Sequence, residues 1–148
     1  MQMIYIIVDI DHTIADARWR DHLLPQWDAY FADQDKDQPI HEVVAILRSM
    51  VHYHNCVHMD GTCYVLAVTG RPERTRNQTL LWLKTNLIPV HEVLMRPDGD
   101  HTAAPELKLR LINGVIKDPG DIVFILEDDP AVVAALKTLG RPILQVHA

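Results

Sequence analysis

The chain has 148 residues, a length that suits one domain of ordinary size. Hydrophobic residues make up 48% and charged residues 23%, which argues against disorder and leaves enough apolar surface to bury a real core. The net charge of −6 argues against broad, sequence-independent binding to nucleic acid, with the proviso that a bound cation would neutralise several acids. The longest apolar runs, Val65 to Val68 and Ile122 to Leu126, are too short to cross a bilayer. The N-terminus reads straight into a strand pattern without a basic segment or cleavage pattern, which predicts a cytoplasmic protein. In that compartment the two cysteines, Cys56 and Cys63, are expected to stay reduced.

Met3 to Asp9 is a nearly continuous apolar run, as a strand covered on both faces requires. Residues 14 to 38 follow as an insertion holding Trp19, Leu23, Leu24, Trp27, Tyr30 and Phe31; it predicts a small helical flap or cap, or a packing layer at the sheet edge. Its aromatic residues suit either a packed flap core or stacking on a nucleobase. Pro39 is expected to start a helix carrying Ile40, Val43, Val44 and Leu47. Cys63 to Thr69 reads as a second buried strand ended by Gly70 and Pro72, and Glu73 to Asn86 as a helix. Glu92 to Met95 is a short strand, Pro105 to Ile116 a helix, Asp121 to Leu126 a strand, Ala131 to Leu139 a helix and Ile143 to Val146 a last strand. Buried runs alternating with amphipathic helices predict a doubly wound α/β domain with a mostly parallel five-stranded, Rossmann-like sheet. Ligands of such sheets bind beyond the carboxyl ends of the strands.

Polar clusters stand at those ends: Asp9-Ile10-Asp11-His12-Thr13, Thr69-Gly70-Arg71 and Glu127-Asp128-Asp129, with Lys108 in a helix between them. Asp9, Asp11, Asp128 and Asp129 converging without a cation would repel one another. A hard cation with oxygen ligands, Mg²⁺, resolves this, whereas the oxygen-rich set disfavours zinc. A carboxylate beside Mg²⁺ can attack phosphorus, with Asp11 as acid and base, Lys108 and the cation neutralising charge, and Thr69 donating a hydrogen bond. Each cluster alone also has a plain structural reading: turn chemistry for the Asp pair, a helix cap for Asp-Asp-Pro, an exposed helical lysine. Their joint placement at successive strand ends favours the catalytic reading.

In these residues the sequence resembles the haloacid dehalogenase superfamily of phosphohydrolases, whose motifs match Asp9-x-Asp11-x-Thr13, Thr69, Lys108 and the pair Asp128-Asp129. The resemblance implies Asp9 as nucleophile and Asp11 as acid/base. It also implies Mg²⁺ held by Asp9, the Asp11 carbonyl, and Asp128 or Asp129, with Glu127 ranking behind them as a ligand. Nearly the whole chain is similar to the 3′-phosphatase domain of phage-type polynucleotide kinases, through Trp27-Asp28-Ala29-Tyr30-Phe31, Thr69-Gly70-Arg71-Pro72-Glu73, Met95-Arg96-Pro97 and Glu106-Leu107-Lys108. That likeness implies an Mg²⁺-dependent polynucleotide 3′-phosphatase with Thr69, Gly70, Arg71 and one of Arg20 and Arg18 on the substrate phosphate. His12 stands where glycine is usual, Pro130 where arginine is usual, and Ala104 where an acid is common; Asp98, Asp100 or His101 can compensate for the last.

Two other functions fit the same residues. One is a phosphatase of free nucleotides or small phosphoesters, which an acidic surface suits. The other is a receiver-like module phosphorylated without turnover, although receivers carry the acidic pair early and the accepting Asp later. A homo-oligomer joined through the aromatic insertion is compatible with the pattern. No G-x-x-x-x-G-K-[ST] loop is present, so no kinase activity is expected. His52, His54, Cys56 and His58 are either a second, transition-metal site or, preferably, a helix end and solvated loop.

Overall fold

The computed structural model describes residues 3–57 and 62–147. Five strands form one parallel sheet: β1 (Ile4–Val8), β4 (Cys63–Pro72), β5 (Glu92–Arg96), β6 (Ile122–Glu127) and β7 (Ile143–Gln145), in the order β5-β4-β1-β6-β7. The order doubles back at β1, so the crevice beyond its carboxyl end lies between chain segments that depart in opposite directions.

The apolar runs lack alternation because both faces of the sheet are covered. Along β1, Ile6 and Val8 enter one core and Ile7 the other. Along β4, Val65 and Ala67 go one way and Leu66 and Val68 the other. The first core is closed by α2 (His41–Val57) through Val44 and Leu47, and by α3 (Arg76–Thr85) through Trp82 and Leu83. The second is closed by α4 (Ala104–Val115) through Ile112 and by α5 (Pro130–Leu136) through Val132 and Leu136.

The insertion is less helical than its composition suggests. Its two ends pair as a short antiparallel ladder, β2 (Ala15–Asp16) with β3 (Gln38–Pro39). Between them stand a 3₁₀ turn over Arg18–Leu23, the six-residue helix α1 (Trp27–Ala32) and a second 3₁₀ turn over Gln34–Lys36. Pro39 therefore ends a strand, and α2 begins at His41. Gly70 does not stop β4 after Thr69 either. The strand runs on to Pro72, which pairs with Arg96 after a shift in register, and α3 waits until Arg76 behind a 3₁₀ turn. A proline at the end of a strand loses no required ladder bond.

His52, His54 and Cys56 lie in the last turns of α2, while His58 falls outside the described residues. No helix among the described residues is long and apolar enough to cross a membrane.

Candidate active site

The backbone after β1 turns sharply. The Ile10 carbonyl accepts the N–H groups of Thr13, Ile14 and Ala15, and the His12 N–H donates to the Ala15 carbonyl at 2.8 Å. His12 adopts φ 63°, the left-handed region that glycine enters freely and histidine enters at a cost. This turn overrides the strand alternation, so Asp9 and Asp11 line the same cavity.

Asp9 is buried at the cavity floor and held on both oxygens. Oδ1 accepts the Lys108 ammonium at 2.6 Å, and Oδ2 accepts the Thr13 hydroxyl at 3.1 Å. Lys108 comes from the first half of α4 and is itself buried, with Glu127 Oε2 at 2.7 Å on its other side. Burial would lower its pKa, but the charges of Asp9 and Glu127 raise it, so the ammonium is firmly protonated. Thr13 also donates to Asp128 Oδ1 at 3.0 Å. A hydroxyl has one proton, so Asp9 and Asp128 share a single donor there.

Ligand oxygens of Asp9, Glu127 and Asp128 lie within 4.8 Å of one another, the one such trio among the described residues. Three carboxylates face one ammonium. Burial first, then the charge of Asp9, pushes both Glu127 and Asp128 far above the ordinary carboxylate range. That is the strain a divalent cation relieves, and an all-oxygen set suits a hard one. Glu127 is the least available of the three. Its Oε2 takes Lys108, and its Oε1 accepts the N–H groups of Asp128 and Asp129. Asp129 caps α5 by accepting the Ala131 N–H on Oδ1, and Pro130 occupies the first turn of that helix.

Asp11 is governed by two arginines. Arg71 donates to it through Nε and Nη2, the latter at 2.8 Å, and Arg20 through Nη2 at 2.5 Å. Burial alone would raise its pKa, but Arg71 and then Arg20 hold the carboxyl down at about 2. Both guanidiniums are buried, and both also contact Asp37 at the end of the insertion. Arg18 points elsewhere, pairing with Asp16 at the surface. Of the two arginines, Arg20 is thus the one that reaches Asp11. Asp37 carries no motif and was not expected in the site; its only signal is an acid at the closing end of an insertion that must bury an arginine.

Thr69 is buried, with its Oγ1 accepting the Arg71 N–H at 3.1 Å. Gly70 lines the cavity, and its carbonyl accepts from Arg96. The His12 ring points into the insertion, 3.1 Å from Asp21 and 3.3 Å from the Tyr30 hydroxyl. Asp98 pairs with Arg74, and Asp100 with Arg110 and Thr102, so both acids serve the loop that follows β5. The cavity over these groups measures about 520 Å³ and is walled by α1 on one part and the residues 96–104 on another. It is an acidic and cationic pocket at the switch point of the sheet, lined by Asp9, Asp11, Asp128, Lys108, Arg74 and Arg96, with Arg20, Arg71 and Thr69 fully buried behind it.

Residues 4–148 match the family model of the polynucleotide kinase PNKP phosphatase domain. A comparison with curated proteins gives no match. Among solved structures, the chain is similar to one described as a Pnkp1/Rnl/Hen1 complex, with TM-score 0.79 and 25% identity over 99% of this chain and 46% of that one. It is similar also to a chain of the Pnkp1/Rnl/Hen1 RNA repair complex, with TM-score 0.78 and 23% identity over 99% and 42%. The chain therefore spans less than half the length of these two. A hydrolase from Streptococcus pneumoniae TIGR4 shares the fold, at TM-score 0.60 and 14% identity over 100% of this chain and 95% of that one.

Proposed function

Since the chain belongs to the family of the polynucleotide kinase PNKP phosphatase domain, a haloacid dehalogenase-type phosphoric monoester hydrolase, we propose that it removes phosphate from the 3′ ends of polynucleotides through a covalent phosphoryl group on Asp9. The observation that carries the mechanism is the grip on Asp9. Lys108 and Thr13 hold its two oxygens, in a cavity that Asp11 also lines, with Arg20 and Arg71 buried behind Asp11 and bonded to it.

Asp9 attacks phosphorus and the P–O ester bond breaks, leaving the ribose oxygen to take a proton from Asp11. In the second half Asp11 takes a proton from water, whose oxygen attacks phosphorus and restores the Asp9 carboxylate. Asp11 needs a proton for the first half, and the two arginines keep it ionised in the resting site. A phosphate dianion competes for the same guanidinium donors. As Arg71 and Arg20 turn to the phosphate, Asp11 keeps its burial and loses its cations, so its affinity for a proton rises. The Gly70 segment and Thr69 hold the Arg71 backbone in place for that exchange.

The donor set fits a divalent cation, which we take to be Mg²⁺. Asp9, the Asp11 carbonyl and Asp128 would hold it, with Asp129, which caps α5 and stands outside the close trio, as the alternative to Asp128. When bound, it supplies positive charge to the phosphoryl oxygens. The acidic chain is compatible with a nucleic-acid end as substrate if only the terminus enters the pocket. The match to the polynucleotide kinase PNKP phosphatase domain supports that substrate class. A cytoplasmic location and self-association through the insertion remain part of this reading.

The test is phosphate release from a 3′-phosphorylated oligonucleotide and from matched 3′- and 5′-mononucleotides, with Mg²⁺ and with EDTA. A strong Mg²⁺-dependent preference for the oligonucleotide is expected. Preference for mononucleotides would move the function to nucleotide metabolism with the same Asp9 chemistry. A single round of protein phosphorylation without continuing release would replace the hydrolase by a receiver-like module.

A further inference from the structure

We propose that the exposed ring of Trp27 is the stacking platform for the base of the substrate's terminal nucleotide, an inference that rests on the 3′-phosphatase reading above. The aromatic residues of the insertion divide sharply. Tyr30 is 4% exposed and Phe31 8%, as residues packing the insertion against the domain should be, whereas Trp19 is 46% and Trp27 55% exposed, and of these two it is Trp27 that lines the cavity. An indole left this open forfeits a large hydrophobic gain unless something covers it.

Its position names the cover. Trp27 lines the same cavity as Asp9, Asp11 and Lys108. The ring is held rather than loose: it stacks on Phe31 with centroids 6.0 Å apart and 21° between planes, and meets Tyr30 edge-on at 5.8 Å. The helix that carries it is tied down at the next residue. Arg74 Nη2 bonds Asp28 at 2.5 Å while Nη1 reaches Asp98 in the loop after β5. A fixed aromatic face beside a phosphate-binding floor matches the shape of a nucleotide, with its phosphate at Asp9 and its base displaced to one side. Every base offers a π-face, so such a platform favours a base over no base and discriminates little among the four.

The experiment compares kcat/KM for two 3′-phosphorylated oligonucleotides of equal length, one ending in an ordinary nucleotide and one in an abasic sugar. The wild-type protein is expected to prefer the first. Trp27→Ala and Trp27→Leu should reduce that preference about tenfold, and Trp27→Phe should retain most of it. Leucine keeps apolar bulk against Phe31, so it separates loss of the π-face from loss of packing. Equal losses on both substrates, with the preference intact, would overturn the platform and make Trp27 a packing residue. Should the wild-type protein release phosphate from mononucleotides but from neither oligonucleotide, the 3′-phosphatase reading itself has failed and the platform falls with it.

Discussion

Arg20 and Asp37 are buried together and meet through two hydrogen bonds, Nε to Oδ1 at 2.9 Å and Nη2 to Oδ2 at 2.6 Å. Asp37 also accepts from Arg71 Nη2 at 3.3 Å and from the Trp19 indole at 2.9 Å, so one carboxylate links the insertion to both arginines that bond Asp11. Removing one member of a buried ion pair leaves the other charge uncompensated. Asp37→Ala should lower the unfolding free energy by about 3–5 kcal/mol in urea, a typical cost for that kind of lesion. A loss below about 1 kcal/mol, the scale of an exposed pair, would mean that Asp11 alone balances the two guanidiniums.

Asp9 and Lys108, bonded at 2.6 Å, are both tested through the chemistry. Asp9→Asn should abolish phosphate release, because an amide cannot serve as the nucleophile, while the fold is retained. Lys108→Met should cut phosphate release about 100-fold or more, the usual cost of deleting one charge-stabilising donor. Substantial turnover by Asp9→Asn would sink the covalent route.

The acidic trio gives a pH signature. Burial and the charge of Asp9 raise Asp128 and Glu127 well above ordinary carboxylates. Without a cation the folded state then binds more protons than the unfolded one, so stability falls as pH rises from about 5 to 8. Asp11, held at about 2, keeps its contribution throughout that interval and loses it only in stronger acid. Cation binding requires the ionised carboxylates, so the stabilisation by Mg²⁺ should grow over the same interval. Thermal melts in EDTA and in Mg²⁺ at several pH values test this. Curves that run parallel would show that no cation binds these carboxylates.

His12 carries a left-handed backbone at φ 63° in the turn after β1, and its side chain contacts Asp21 and Tyr30 in the insertion. Such contacts are worth little in water, whereas a non-glycine residue in that region costs about 1–2 kcal/mol. His12→Gly should therefore leave stability unchanged or raise it by up to about 1 kcal/mol, since glycine's extra unfolded-state freedom offsets part of the relief. A marked loss of stability would place the Asp21 contact above the backbone strain.

The strands and the site motifs could be read from the sequence because each is a local signal. Unalternating runs such as Met3 to Asp9 mean a strand covered on both faces, and the order of Asp9, Thr69 and Asp128 along the chain fits the ends of parallel strands, with Lys108 on the helix before the last of them. Where local punctuation was used alone it misled: Gly70-Arg71-Pro72 extends β4, and Pro39 closes a small ladder, because pairing partners elsewhere in the chain decide whether a strand stops. The choice between Arg18 and Arg20 depended on which guanidinium could be buried against Asp37, and the roles of Glu127 and Asp129 on which oxygens the protein already occupied. Likewise the aromatic residues of the insertion look alike in sequence, yet packing buries Tyr30 and Phe31 and leaves Trp27 open. Residue types at strand ends declare what chemistry is available; which of them share a charge, a proton or a face is settled by distances between segments far apart in the chain, and no local pattern carries those distances.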